Sequence, residues 1–173
     1  MVRGCLLVVM ALFSMSCKEY EREFQENVQV QFSYCRSDAN VALGLTIRNN
    51  GDRSIQSIAD LIFLVNGKVH KRPFFHFGRF FLMKAMHPGK PKTLFDYTTV
   101  QNIGEYLGPG RHSLSWKYGP VLSNEMILEV TNDMQIKEIV VECDDRIRKA
   151  GIAIFQWREH EKRNAKGDTG LDK

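Results

Sequence analysis

Val28-Gln-Val-Gln-Phe-Ser-Tyr34 places an apolar residue at every second position, and Val41-Ala-Leu-Gly-Leu-Thr-Ile47 repeats the pattern. A period of two is that of a strand with one face turned to a core, so each stretch is expected to be a half-buried β-strand. Asn49-Asn-Gly-Asp52 follows at once and supplies residues that tolerate positive φ in a tight connection. Ile58 to Val65 then runs apolar into Asn66-Gly67, the strongest short hairpin signal, and Thr93 to Thr99 carries Leu94, Phe95 and Tyr97 as a further strand. The chain reads as mainly β.

Between these strands lies Pro73-Phe-Phe-His-Phe-Gly-Arg-Phe-Phe-Leu-Met83, with aromatic residues on both alternating faces. A strand wetted on one side does not carry such a pattern. Three readings stand: a bulge near Gly78 that switches the inward face, burial beneath another element, or an exposed docking patch made of Phe74, Phe75, Phe77, Phe80 and Phe81. Met86-His-Pro-Gly-Lys-Pro91 is expected as a loop.

Tyr106-Leu-Gly-Pro-Gly-Arg-His-Ser-Leu-Ser-Trp-Lys-Tyr118, followed by Ser123-Asn-Glu-Met-Ile-Leu-Glu-Val130, resembles the last hairpin of bacterial immunoglobulin-like and fibronectin-like sandwiches. Leu107, Pro109, Gly110, His112, Leu114 and Trp116 carry the first half of the likeness; Ser123, Asn124, Ile127, Leu128 and Val130 carry the second. An aromatic residue is commoner where His112 stands, and the strand lacks the cysteine of antibody domains. The resemblance covers residues 27–131 and implies an immunoglobulin-like antiparallel β-sandwich without implying an activity. Trp116, on one face with Leu114, reads as core.

Beyond Asn132, Ile136-Lys-Glu-Ile-Val-Val-Glu-Cys143 is either an extra strand or the beginning of a helix. Ile147, Gly151, Ile154, Phe155 and Arg158 recur at helical spacing, which predicts a C-terminal helix to about His160, packed on the sandwich by Ile147, Ile154 and Phe155. Residues 132–160 thus form an extra strand and helix. From 161 to 173 the residues are polar, small and charged and are expected to be disordered.

The first residues tell about compartment. Arg3 is followed by the apolar run Cys5-Leu-Leu-Val-Val-Met-Ala-Leu-Phe13 and then by Ser14-Met-Ser-Cys17. About ten apolar residues are too few for a permanent span and suit a signal h-region, so residues 1–16 read as a signal peptide. Leu12-Phe-Ser-Met-Ser-Cys17 resembles a relaxed bacterial lipobox, which implies acylation of Cys17 by chains such as palmitate, attachment to a lipid bilayer, and a place in the bacterial cell envelope facing the periplasm or the surface. A plain secreted protein cut at the same bond and a chance apolar N-terminus are the alternatives. Residues 17–26, highly charged, read as a tether or as a short helix packed through Tyr20 and Phe24.

Cys5 would leave with the signal and Cys17 would be acylated, so Cys35 and Cys143 become candidates for one disulfide in an oxidising compartment, two buried thiols being the alternative. The 173 residues suffice for one domain with a real core. With 24 Lys and Arg against 20 Asp and Glu, the charge is mild, and nucleic acid is not an expected partner. His70, His76, His87, His112 and His160 lack the spacing of metal ligands, and no phosphate loop, nucleophile elbow or zinc-protease motif is present. No catalytic residue, metal or cofactor is therefore expected. The expected role is a binding or interaction module, with an envelope protein as its partner. An enzyme or inhibitor acting through Met86 to Pro91 or Gly119 to Ser123, and a structural accessory subunit docking through Phe74 to Met83, are the rival readings.

Overall fold

The two alternating stretches pair with each other: β1 (Val28–Ser37) and β2 (Asn40–Asn49) form an antiparallel hairpin in which Phe32 faces Leu45 and Tyr34 faces Leu43. The computed structural model describes residues 18–55, 60–70, 85–153 and 155–156. Within them the remaining elements are α1 (18–27), β3 (Leu61–Val65), β4 (Lys68–His70), β5 (Lys92–Thr99), α2 (Val100–Leu107), β6 (Gly110–Tyr118), β7 (Val121–Leu122), β8 (Met126–Val130), β9 (Ile136–Val140) and α3 (145–153, continuing at 155–156). One sheet runs β1-β2-β5; the other runs β4-β3-β6-β8-β9, with β7 also paired to β6. The described pairings are antiparallel, and this two-sheet order is that of an immunoglobulin-like sandwich extended by β9.

The core lies between the sheets. Val30, Phe32, Leu43 and Leu45 of the first meet Phe63, Leu114, Trp116 and Leu128 of the second, all buried. Trp116 is wedged edge-on to Phe32 at a centroid distance of 6.4 Å and tilted on Phe63 at 5.1 Å. Asn124, opening the approach to β8, ties the layers: its side-chain amide donates to the Phe32 carbonyl (2.9 Å) and its Oδ1 accepts from the Phe32 amide (2.6 Å). Ser123 does the same for its own sheet, with Oγ accepting from the Trp116 amide at 2.9 Å.

Turn chemistry follows the sequence closely at Asn66-Gly67, where both residues have positive φ (52° and 72°), the requirement of a two-residue hairpin with native twist. His112 takes the place of the corner aromatic. Its Nε2 donates to the Gly108 carbonyl four residues upstream (3.0 Å), which leaves Nδ1 to accept from Asn66 Nδ2 at 3.5 Å. The imidazole thus supplies the backbone bond that a tyrosine hydroxyl makes at this corner in antibody-like domains.

Two features depart from the expectations. Helix α2 has no counterpart in the strand reading; Thr99 caps it by accepting from the Asn102 amide (3.1 Å), and Gly108, at φ 70°, ends it. Residues 136–140 are a strand, as the extra-strand reading had it. The description of β2 as half-buried is corrected: every residue from Val41 to Ile47 is buried, because α3 covers the outer face of the first sheet.

That cover is possible because the outer face is built from small side chains. Ser33, Cys35, Ala42, Gly44 and Thr46 lie there, and Ile147 fills the space over Gly44 so closely that a Cβ on Gly44 would stand 2.3 Å from Ile147 Cδ1. Burying Ile147 contributes about 1.5–3 kcal/mol. Phe155 stacks on Tyr97 at 5.9 Å, extending the same contact to β5. Ile154 lies outside the described residues.

The crossing from β9 to α3 is pinned to β1. The Tyr34 amide donates to the Glu142 carbonyl (2.7 Å), and Cys35 and Cys143 are bridged with an S–S distance of 2.05 Å and a Cα–Cα distance of 5.0 Å. Asp144 then caps α3, accepting from the Arg146 amide at 2.8 Å and pairing with its guanidinium at 2.8 Å. The hydrogen bonds from Arg146 hold the Asp144 carboxyl below the usual carboxylate range.

Candidate binding surface

At the end of the sandwich where β1 turns into β2, three connections converge. The β1–β2 turn brings Asp38, at φ 54°; α2 brings Gln101 and Glu105; the β8–β9 loop brings Asp133, Met134 and Gln135. They border a cleft of about 500 Å3 that also exposes part of Val100 and Ala39.

The loop from Thr131 to Gln135 is held by its own hydrogen bonds. Thr131 Oγ1 donates to Asp133 Oδ1 (2.5 Å) and accepts from the Gln135 amide (3.0 Å), and the Met134 amide donates to the Thr131 carbonyl (3.0 Å). Met134 is thereby set at φ 61°, a conformation unfavourable for a side-chain-bearing residue and tolerated only where the surroundings impose it. The Met134 carbonyl lies against Gly104 of α2, where a Cβ would come within 2.7 Å of it. Glycine at this position lets loop and helix touch, and so forms one wall of the cleft.

Arg36 forms another wall. Its Nε donates to the Asp38 carbonyl (2.9 Å), and its Nη1 donates to the Ile136 carbonyl (3.0 Å) and lies 3.8 Å from Glu138 Oε1. With the guanidinium so engaged, the rim carries the carboxylates of Asp38, Glu105 and Asp133. Its chemistry favours polar and cationic groups of a partner. Behind it, burial together with the Glu138 carboxylate pushes the Tyr34 phenol above its ordinary range.

The residues expected to act from sequence lie elsewhere. Cys17 and the proposed patch of Phe74, Phe75, Phe77, Phe80 and Phe81 fall outside the described residues. Cys35 and Cys143 are joined, as one of the two sequence readings had it. Of the histidines, His112 holds the corner, His70 Nδ1 lies 2.7 Å from the Tyr106 hydroxyl, and His87 Nδ1 lies 2.8 Å from Ser54 Oγ. The cleft residues had no warning in the sequence, since they come from three connections up to about a hundred positions apart. The one local signal is Thr131-x-Asp133, a turn-forming pair.

The outer face of the second sheet is different in kind. The outer surface of the second sheet presents Val69 and Leu122, exposed to 61% and 58%, with Val140 beside Ile127. Unlike the first sheet, this face has no helix over it among the described residues. Comparison with protein-family models, with curated proteins and with solved structures returns no match.

Proposed function

We propose that this protein is a lipoprotein of the bacterial cell envelope, held to a bilayer through acylated Cys17, whose β-sandwich serves as a binding module for an envelope protein. The observation that carries the reading is the use of cysteine. Cys35 and Cys143 pair with each other, a bond that persists in oxidising compartments outside the cytosol. Of the four cysteines, Cys5 lies within the apolar leader and Cys17 stands where the leader ends. An exported chain with one bridge and a cysteine at the cleavage site has a use for each thiol.

The binding role draws support from the cleft, which gathers side chains of three connections at one end of a rigid sandwich. The test has two parts. Mass spectrometry of the mature protein from the membrane fraction is expected to show a modified Cys17 at the N-terminus, and Cys17→Ser is expected to release the protein into the soluble fraction; an unmodified cysteine on a soluble protein overturns the anchor. Affinity capture from solubilised envelopes is expected to retain a partner that Gln101→Lys with Glu105→Lys loses; a monomer that retains none overturns the module.

A further inference from the structure

Helix α1 is docked on the sandwich. Lys18, the residue after Cys17, is already helical, and Phe24 is only 1% exposed, packed on Tyr118 at 5.4 Å with Tyr20 beside it at 5.9 Å. From Lys18 to Phe24 the helix rises about 9 Å. The charged segment is therefore a short docked strut, and a lipid attached at Cys17 has no free length by which to hold the domain away from the bilayer. We infer that the sandwich stands on the membrane by its α1 end, with the cleft at the opposite end facing outward; this rests on the acylation of Cys17 proposed above.

Among the described residues, connections gather at each of the two ends. At the α1 end, the Asn50 amide donates to the Asn27 carbonyl (2.8 Å), Gly51 lies against the Asn27 side chain, and the Gly89 amide donates to the Asn49 carbonyl (3.3 Å). Leu122, exposed on β7 across from Lys117, offers this end an apolar contact for lipid. At the other end lie the β1–β2 turn, α2 and the Thr131–Gln135 loop. The ten residues of β1 separate the two by about 30 Å. Charge does not provide the attachment, because α1 carries Glu19, Glu21, Glu23 and Glu26 against Lys18 and Arg22, the last already paired with Glu26 at 2.8 Å. The acyl chains hold the protein, and the strut decides which end is down.

The experiment uses the full acylated chain in phosphatidylcholine–phosphatidylethanolamine vesicles carrying a nitroxide on a fraction of the headgroups. A fluorophore is placed in one preparation at Asp52→Cys, at the α1 end, and in another at Asn132→Cys, in the β8–β9 loop. Quenching at position 52 is expected to exceed that at 132 several-fold, and a twelve-residue Gly-Ser insertion between Cys17 and Lys18 is expected to erase the difference. Equal quenching in protein shown by mass to be acylated overturns the orientation while leaving the anchor intact. A difference that survives the insertion also overturns it, since something other than the strut would then set the orientation. An unmodified Cys17 overturns the anchor and the orientation together.

Discussion

Gly151 of α3 sits directly on Ala42 of β2, so closely that a Cβ at Gly151 would stand 2.2 Å from the Cβ of Ala42. Neither group can rotate away, because both are rooted in backbone. Gly151→Ala is therefore expected to lift α3 from the sheet and to destabilise the fold by about 1–3 kcal/mol, against a helix-propensity gain of under about 1 kcal/mol. Adding Ala42→Gly returns the missing volume from the other side. Urea denaturation is expected to show the double variant recovering most of the loss; a double variant as unstable as the sum of the singles would mean that the contact is not the cause.

Asn124 supports both a donor and an acceptor of the Phe32 backbone. Asn124→Ala removes two hydrogen bonds and leaves two partly buried backbone groups without their partner, a loss of about 2–4 kcal/mol. Asn124→Asp keeps only the acceptor and is expected to fall between wild type and alanine. Amide exchange at Phe32, slow in wild type, is the local readout.

The Cys35–Cys143 bridge closes a separation of 108 residues. By chain entropy, such a loop stabilises the fold by about 4–5 kcal/mol, with native strain lowering the figure. Reduction, or Cys35→Ser with Cys143→Ser, is expected to lower the melting temperature by many degrees. The loss should be led by α3, whose attachment to β1 begins at Cys143, while the inter-sheet core keeps its near-ultraviolet signal until the main transition.

Tyr34 gives the fold a dependence on alkaline pH. Its phenol is raised above the ordinary value first by burial and then by the Glu138 carboxylate. A raised group binds its proton more tightly in the folded state, so the stability it contributes is present below the unfolded value of about 10 and is lost as pH rises past it. Unfolding free energy measured from pH 8 to 11 is expected to be level at first and to fall above about 10. Tyr34→Phe, which keeps the ring, is expected to flatten part of that slope.

Much of the sandwich was legible because alternation is a local property. The inward residues of β1 and β2 are those the period of two names, and Asn66-Gly67 turns where such a pair must. Helix α2 was not legible. Val100, Ile103 and Gly104 are its buried positions, two apolar side chains and a glycine, too few to establish a helical period, and the capping role of Thr99 emerges only once the strand before it is known to end there. The cleft was invisible for a related reason: Asp38, Glu105 and Asp133 are ordinary turn and surface residues until three connections bring them to one end.

The sequence by itself determined the strand series, the turn chemistry and the inward placing of Trp116, since each rests on the order of neighbouring residues. Only the tertiary structure decided that Phe24 is part of the core, that Gly44, Ala42 and Gly151 form a seat between sheet and helix, and that Cys35 meets Cys143. Those outcomes depend on which surfaces become neighbours after the chain has crossed from one sheet to the other. A small residue looks alike in sequence whether it faces water or makes room for a helix, and only the packed partner distinguishes the two.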